Sequence, residues 1–192
     1  MPYTLYQQSY SRYNEHPRGR RMGEHTLTIL LRLIHILGGL FWAGAMVLLA
    51  GFLIPTVRAT GREGGRFMQI LMQQKRLQFY LGLAAGLTVL SGLTLYVRMA
   101  AATHGAWAGT RPGMAYGVGA LAAILAAAVG GGISGSAGRK MLAVVQAIGS
   151  APPSAEQQAE LSRLQDRMAM AARVAAGLLV IAASAMAVGR YL

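Results

Sequence analysis

The sequence predicts an all-α protein, a bundle of four membrane-spanning helices with helical extensions on one side and a polar N-terminal tail. Of its 192 residues, 54% are apolar and 12% are charged, whereas soluble domains carry about 25% charged residues. The charged residues bracket four long stretches that are almost free of charge. A spanning helix needs about 20 apolar residues, because each rises about 1.5 Å through a hydrocarbon core of about 30 Å. These observations exclude a soluble fold.

The four spans follow from the positions of these uncharged stretches. The first three contain 25, 21 and 27 residues, at 33–57, 77–97 and 112–138. The last contains 16 residues, or 22 when it is counted from Met168 and Arg173 is accepted near its end. We therefore predict spans at about 27–57, 77–98, 113–137 and 168–190, within a membrane domain of residues 27–192. Residues 1–26 form the polar tail, which lacks a helical period and has the composition of a disordered segment.

Four spans place both termini on one side of the membrane, together with the connection between spans 2 and 3. We call this side A, and the opposite side, with the other two connections, side B. Side B carries ten Lys and Arg residues and side A carries eight. Cytoplasmic loops are enriched in Lys and Arg, so the bias predicts that side B is cytoplasmic and that both termini are periplasmic.

On side B the helices are predicted to continue beyond the bilayer. Apolar residues recur there with helical spacing, for example at Val144, Val145 and Ile148. Pro152 and Pro153 end one helix, because proline cannot continue it. Ser154, with Gln three residues later at position 157, is typical of a capping box that begins the next helix.

Small residues predict where the spans meet, because helices in lipid associate through close backbone packing. Gly82 and Gly86 form a GxxxG pair in span 2, and spans 3 and 4 are rich in Ala and Gly. The Gly130–Gly132 triplet predicts a kink or a bulge. Packing explains the triplet better than a flat cofactor lying against the backbone does.

Several function classes are excluded or disfavoured. The chain has no cysteine, which excludes disulfides, iron–sulfur clusters and thiolate chemistry. The predicted spans contain no Asp or Glu, whereas proton-coupled transporters usually keep an intramembrane carboxylate. No catalytic constellation is visible, so we expect no enzyme. The net charge of +12 lies at the span ends, which indicates contact with lipid headgroups and not with nucleic acid.

His35 is the most informative residue, because an ionisable side chain inside a span is a functional hypothesis by default. Its face of the helix carries glycines and also Trp42 and Met46. Arg32 lies one turn away and is expected to extend toward the headgroups or to pair with a haem propionate. A neutral histidine that merely packs against a neighbouring helix is the simpler interpretation.

A second ligand has several candidates on side A. The topology places all four histidines there, and His104 in the connection between spans 2 and 3 is predicted to reach His35. Two imidazoles would hold a haem b, whereas imidazole with thioethers suits copper, especially Cu(I). Met46 on the helix of His35 and Met114 at the start of span 3 are the predicted thioether ligands. The other side A residues at this level are Met99, Met186 and Tyr191.

Two segments carry a resemblance to a known family. The stretch LLRLIHILGGLFWAGAMVLLAGFLIP resembles the first helix of the copper-resistance protein D-like membrane proteins, with His35, Gly38, Trp42 and Gly44 at the matching positions. The stretch RMAMAARVAAGLLVIAASAMAVGRYL is similar to the last helix of that family. The resemblance implies a four-helix protein of the bacterial cytoplasmic membrane that takes part in copper uptake or has an unassigned role. It also implies that some relatives bind haem and that His35 is a ligand.

Two functions follow from the sequence. The first is a membrane protein that binds haem b or copper near one membrane face, in electron transfer or metal handling. Its predicted cofactor residues are His35, His104, Arg32 and Trp42, and its predicted metal ligands are His35, His104, Met46 and Met114. The alternative is a non-catalytic accessory subunit of a respiratory or photosynthetic complex, with its tail docked on other subunits. In either case the predicted partners are the lipid bilayer and further membrane subunits or copies of this chain.

Overall fold

The computed structural model describes residues 18–149 and 152–192, and the side chains from residue 23 onward. The described residues form an all-α bundle without strands, as the sequence predicts. Its α-helices are α1 (Arg18–Leu48), α2 (Ile54–Ala59), α3 (Gly61–Gln69), α4 (Leu77–Ala102), α5 (Arg111–Ala128), α6 (Gly135–Ile148) and α7 (Ala155–Gly189).

Four helical spans are long and apolar enough to cross a membrane, so the chain is a multi-pass membrane protein. Span 1 combines most of α1 with α2, span 2 is α4, span 3 combines α5 with α6, and span 4 is α7. Their bounds are Gly23–Ala59, Leu77–Ala102, Arg111–Ile148 and Ala155–Gly189. The helix of span 1 begins at Arg18, before the predicted start at 27, and most of the predicted tail (1–17) lies outside the described residues.

Span 4 is the central helix of the bundle. It packs along span 3 and against span 1, and span 1 packs along span 2. The side of span 4 that faces the bundle is a series of buried residues with small side chains, which allow close approach of the helix backbones in lipid. Its buried apolar residues are Leu164, Ala169, Ala171, Ala172, Ala175, Ala176, Leu179 and Ala182.

Three wider π-helical turns interrupt the helices, at Leu49–Leu53, Ile70–Gln74 and Val129–Ser134. The last contains the Gly130–Gly132 triplet, which confirms the predicted bulge. Gly130 faces span 4, where an added Cβ would lie 4.0 Å from Ala175 Cβ. At 4.0 Å this is an ordinary van der Waals contact, and Gly131 and Gly132 have open space at the Cβ position, so packing among the described residues requires glycine at none of the three positions.

The predicted extensions on side B are helical. α7 begins with the predicted capping box, in which the Gln157 backbone N–H donates to Ser154 Oγ (3.2 Å) and the Ser154 N–H donates to Gln157 Oε1 (2.9 Å). Arg58 and Asp166 form an ion pair of 2.8 Å that joins spans 1 and 4. Both partners are exposed, so the pair adds little stability.

The turn between α2 and α3 depends on Gly64. A Cβ at Gly64 would collide with Thr60 Oγ1 and with the Val57 carbonyl oxygen, whereas Gly65 has open space. Overpacking typically costs about 1–3 kcal/mol. Gly64→Ala is expected to lower the thermal midpoint of the protein in detergent, whereas Gly65→Ala is expected to raise it slightly through helix propensity. Equal midpoints for the two variants would contradict this packing.

Candidate functional site: a histidine–methionine contact joining four spans

His35 lies on the inner face of α1, and its imidazole ring stands directly against the backbone of α4. A Cβ added at Gly92 would lie 2.5 Å from His35 Cε1 and 2.7 Å from Nδ1. One turn further along α1, a Cβ at Gly38 would lie 2.8 Å from Thr88 Oγ1. The absence of side chains at these two glycines therefore lets α1 and α4 approach closely enough to place the ring.

One ring nitrogen of His35 is committed to a hydrogen bond with the backbone. Nδ1 lies 2.8 Å from the carbonyl oxygen of Thr88. A carbonyl oxygen can only accept, so Nδ1 carries a hydrogen and donates it. The same carbonyl also accepts from Ser91 Oγ at 3.2 Å. This bond fixes both the orientation and the tautomer of the ring.

The other ring nitrogen meets a thioether. Nε2 of His35 lies 3.4 Å from Sδ of Met186 on span 4. In the neutral ring with its hydrogen on Nδ1, Nε2 carries a lone pair, and the sulfur likewise offers only lone pairs. Two electron-pair donors therefore face each other without a hydrogen between them. An electron-pair acceptor between the two atoms would satisfy both lone pairs, and so would a second proton on the ring, which Nε2 would donate to the sulfur.

All four spans contribute to this contact. Met186 packs against span 3, where a Cβ at Gly119 would lie 3.1 Å from Met186 Cγ. His35 comes from span 1, Gly92 from span 2, Gly119 from span 3 and Met186 from span 4. We call these four residues the four-span junction. Because every span supplies one member, the His35–Met186 distance depends on the assembled bundle.

The junction lies near side A. Arg32 precedes His35 by three residues and Arg190 follows Met186 by four, and both arginines are exposed. At about 1.5 Å per residue, the contact lies about 4.5–6 Å from the level of these two arginines. On the side B flank the bundle is filled, because Trp42 and Ala182 are only 4% and 5% exposed.

The remaining predicted ligands lie away from the contact. His104 is exposed in a left-handed turn (φ 50°) that follows the end of α4 at Ala102, and Ala102 lies ten residues and about 15 Å of helical rise beyond Gly92. Met46 is buried eleven residues along α1, about 16 Å from His35. Met114 is 53% exposed, and Trp42 lies two turns toward side B. Within the described residues, no group of three or more His, Cys, Asp or Glu side chains gathers in metal-binding geometry.

Met186, which contacts the His35 ring, is not among the predicted thioether ligands. The topology puts it at the level of His35, but it does the same for Met99 and Met114. The feature that distinguishes Met186 from Met99 and Met114 is a small residue on the neighbouring helix, because Gly119 of span 3 makes room for the Met186 side chain.

The GxxxG prediction was wrong within this chain. Gly82 and Gly86 are exposed and have nothing within 4 Å of their Cβ positions, whereas Gly38 and Gly92 lie at the helix contact. α4 therefore turns Gly92 toward span 1 and leaves the GxxxG pair on its outer face.

Comparison with protein-family models, with curated proteins and with solved structures finds no match for this chain. The resemblance to the copper-resistance protein D-like family therefore stays a prediction that rests on the quoted helices.

Proposed function

We propose that this protein is a metal-handling membrane protein that binds one Cu(I) ion between His35 and Met186. The observation that carries the proposal is the 3.4 Å contact between His35 Nε2 and Met186 Sδ. Because Nδ1 is committed to the Thr88 carbonyl, the lone pair of Nε2 is directed at the thioether. Imidazole nitrogen and thioether sulfur are donors that suit Cu(I).

The separation of the two donor atoms fits a single ion. Metal bonds to nitrogen and sulfur are about 2.0 Å and about 2.3 Å long. At an N···S separation of 3.4 Å, an ion at these distances subtends an angle of about 105°. This angle is close to tetrahedral, so the two side chains need little movement to bind. The Nδ1–H bond to Thr88 additionally raises the basicity of the coordinating nitrogen.

Haem b fits this pair less well. A haem iron with His35 and Met186 as its two axial ligands requires the donor atoms about 4.3 Å apart, on opposite sides of the macrocycle. The two atoms are instead in contact, and the ring of His35 lies against the backbone at Gly92. This packing favours an ion over a porphyrin.

The charge of the ligands favours a monovalent ion. Neutral imidazole and thioether leave the full charge of the ion uncompensated, and the cost of a buried charge rises steeply with its magnitude. Two protein ligands also leave coordination positions free for a donor or acceptor of the metal. Both features are typical of a site that takes up and releases an ion, as metal handling requires.

The proposed location is the bacterial cytoplasmic membrane, with side A facing the periplasm. Its support is the excess of Lys and Arg on side B, ten against eight. The site then lies near the periplasmic face.

The accessory-subunit alternative is supported by the outer face of span 2, where Gly82 and Gly86 contact nothing in the described chain. A metal-binding subunit satisfies both proposals.

Titration of the purified full-length chain with Ag(I), the redox-stable analogue of Cu(I), tests the proposal. We expect one ion per chain, and at least tenfold weaker binding by Met186→Leu, because leucine fills the space without a donor atom. Met114→Leu is the matched control and should bind as the wild type does, since Met114 is exposed. A visible spectrum with a haem Soret band, or binding that is unchanged in Met186→Leu, would refute the Cu(I) site.

A further inference from the structure

Three aromatic side chains form a cluster on side A. The rings of Tyr96 on α4 and Trp107 in the connection between α4 and α5 meet edge to face, with centroids 5.3 Å apart. The rings of Trp107 and Tyr116 on α5 are stacked at 5.9 Å. All three residues are half-buried. We call this group the aromatic cluster.

The aromatic cluster lies about one helical turn from the four-span junction, toward side A. Tyr96 follows Gly92 by four residues, and its Oη lies 3.3 Å from the Cβ position of Gly117. Tyr116 precedes Gly119 by three residues. The Tyr116 ring lies 3.4 Å from the Cβ position of Gly189, three residues beyond Met186. The cluster thus spans from span 2 across span 3 to span 4, on the side A flank of Met186.

Backbone contacts hold Trp107 in this position. The backbone N–H of Trp107 donates to Thr103 Oγ1 at 3.2 Å, and the backbone carbonyl oxygen of Trp107 accepts from Thr110 Oγ1 at 2.6 Å. Thr110 also caps α5, since its hydroxyl accepts from the Gly113 N–H. The backbone of Gly113 packs so closely on the Trp107 carbonyl that a side chain at this position would collide with it. The connection therefore presents the indole as part of an ordered structure.

We propose that the aromatic cluster closes the His35–Met186 site on side A and is the entrance through which the ion reaches it. The proposal rests on the proposed function and specifies its substrate as a monovalent cation that has lost its water shell. The faces of aromatic rings attract cations, whereas three closely packed aromatic rings leave little room for the water shell of a hydrated divalent ion or anion. On the opposite flank, buried Trp42 and Ala182 fill the bundle, so side A is the shorter path.

The closure is tested first without any metal, by the oxidation of Met186. Hydrogen peroxide converts an accessible thioether to the sulfoxide, and mass spectrometry resolves the rate for each methionine of the full-length protein in nanodiscs. Trp107→Leu is expected to accelerate the oxidation of Met186 about tenfold. Trp107→Phe keeps a ring and should behave as the wild type does. Met99 and Met114 are exposed on side A and should react equally in all three proteins.

Release of Ag(I) to a water-soluble chelator tests the entrance. Trp107→Leu and Tyr96→Leu are expected to release the ion about tenfold faster than the wild type, with unchanged stoichiometry. Tyr80→Leu, which removes an exposed tyrosine near the side B end of the same helix, should leave the rate unchanged.

The outcomes separate this inference from the proposed function. Unchanged oxidation of Met186 in Trp107→Leu would overturn the closure, even if silver binds. A wild-type protein that binds no silver would overturn the proposed function and the entrance, while the oxidation rates would still decide whether the cluster covers Met186.

Discussion

Replacing His35 by alanine is expected to abolish stoichiometric binding of Ag(I), with a loss of affinity of at least 100-fold. The substitution removes the nitrogen that contacts Met186 and leaves the thioether as the remaining ligand of the contact pair. A hundredfold loss corresponds to about 2.7 kcal/mol. The measurement is a silver titration of the purified full-length variant, read against a competing chelator.

His104→Ala is the matched control for this experiment. His104 is exposed and lies far from the contact, so the variant should bind silver with the wild-type affinity. Loss of silver binding in His104→Ala would instead support a site formed by His35 and His104. Wild-type binding by His35→Ala would refute any role of the His35–Met186 pair.

The architecture could be predicted from the sequence because the bilayer sets it. The hydrocarbon thickness determines the length of every uncharged stretch, and the charges that end these stretches mark the membrane surfaces. Sequence signals for helix caps predict local structure in this membrane protein as they do in soluble proteins. The pair of Ser154 and Gln157 satisfies backbone groups within a single turn, so its geometry does not depend on the rest of the bundle.

The partner of His35 could not be predicted, because sequence sets the depth of a residue in the membrane but not the rotation of its helix. Met99, Met114 and Met186 all end or begin spans on side A, and depth alone treats them alike. Only the packed bundle shows that the side chain of Met186 points to His35, whereas Met99 and Met114 are exposed.

The same limit explains the GxxxG error. A glycine pair reports that a helix backbone can be approached closely, but it does not say which helix approaches it. The four-residue spacing of Gly82 and Gly86 leads next to position 90 of α4. Span 1 instead approaches α4 at Gly92, two residues further along. Because 3.6 residues complete a turn, such an offset moves the contact to another face of the helix.

Gly92→Ala is the second variant for which we expect a large effect, because it displaces His35 while both proposed ligands stay in the chain. Its methyl group would lie 2.5 Å from Cε1 and 2.7 Å from Nδ1 of the ring, well inside contact distance. The ring has to shift away from α4, which disturbs the hydrogen bond from Nδ1 to the Thr88 carbonyl. We therefore expect at least tenfold weaker silver binding and a lower thermal midpoint, from overpacking of about 1–3 kcal/mol.

Gly82→Ala on the same helix is the control, since its Cβ position is open and alanine favours a helix over glycine by about 1 kcal/mol. Gly82→Ala should keep the silver affinity and raise the thermal midpoint slightly, as expected for Gly65→Ala. The double variant His35→Ala/Gly92→Ala separates the ring from the backbone. If the damage in Gly92→Ala arises from collision with the imidazole, the methyl group costs little stability once the ring is gone, and the two substitutions are strongly non-additive. Additive losses in the thermal midpoint would instead mean that Gly92 is required for packing unrelated to His35, and the glycine would then have no part in placing the ligand.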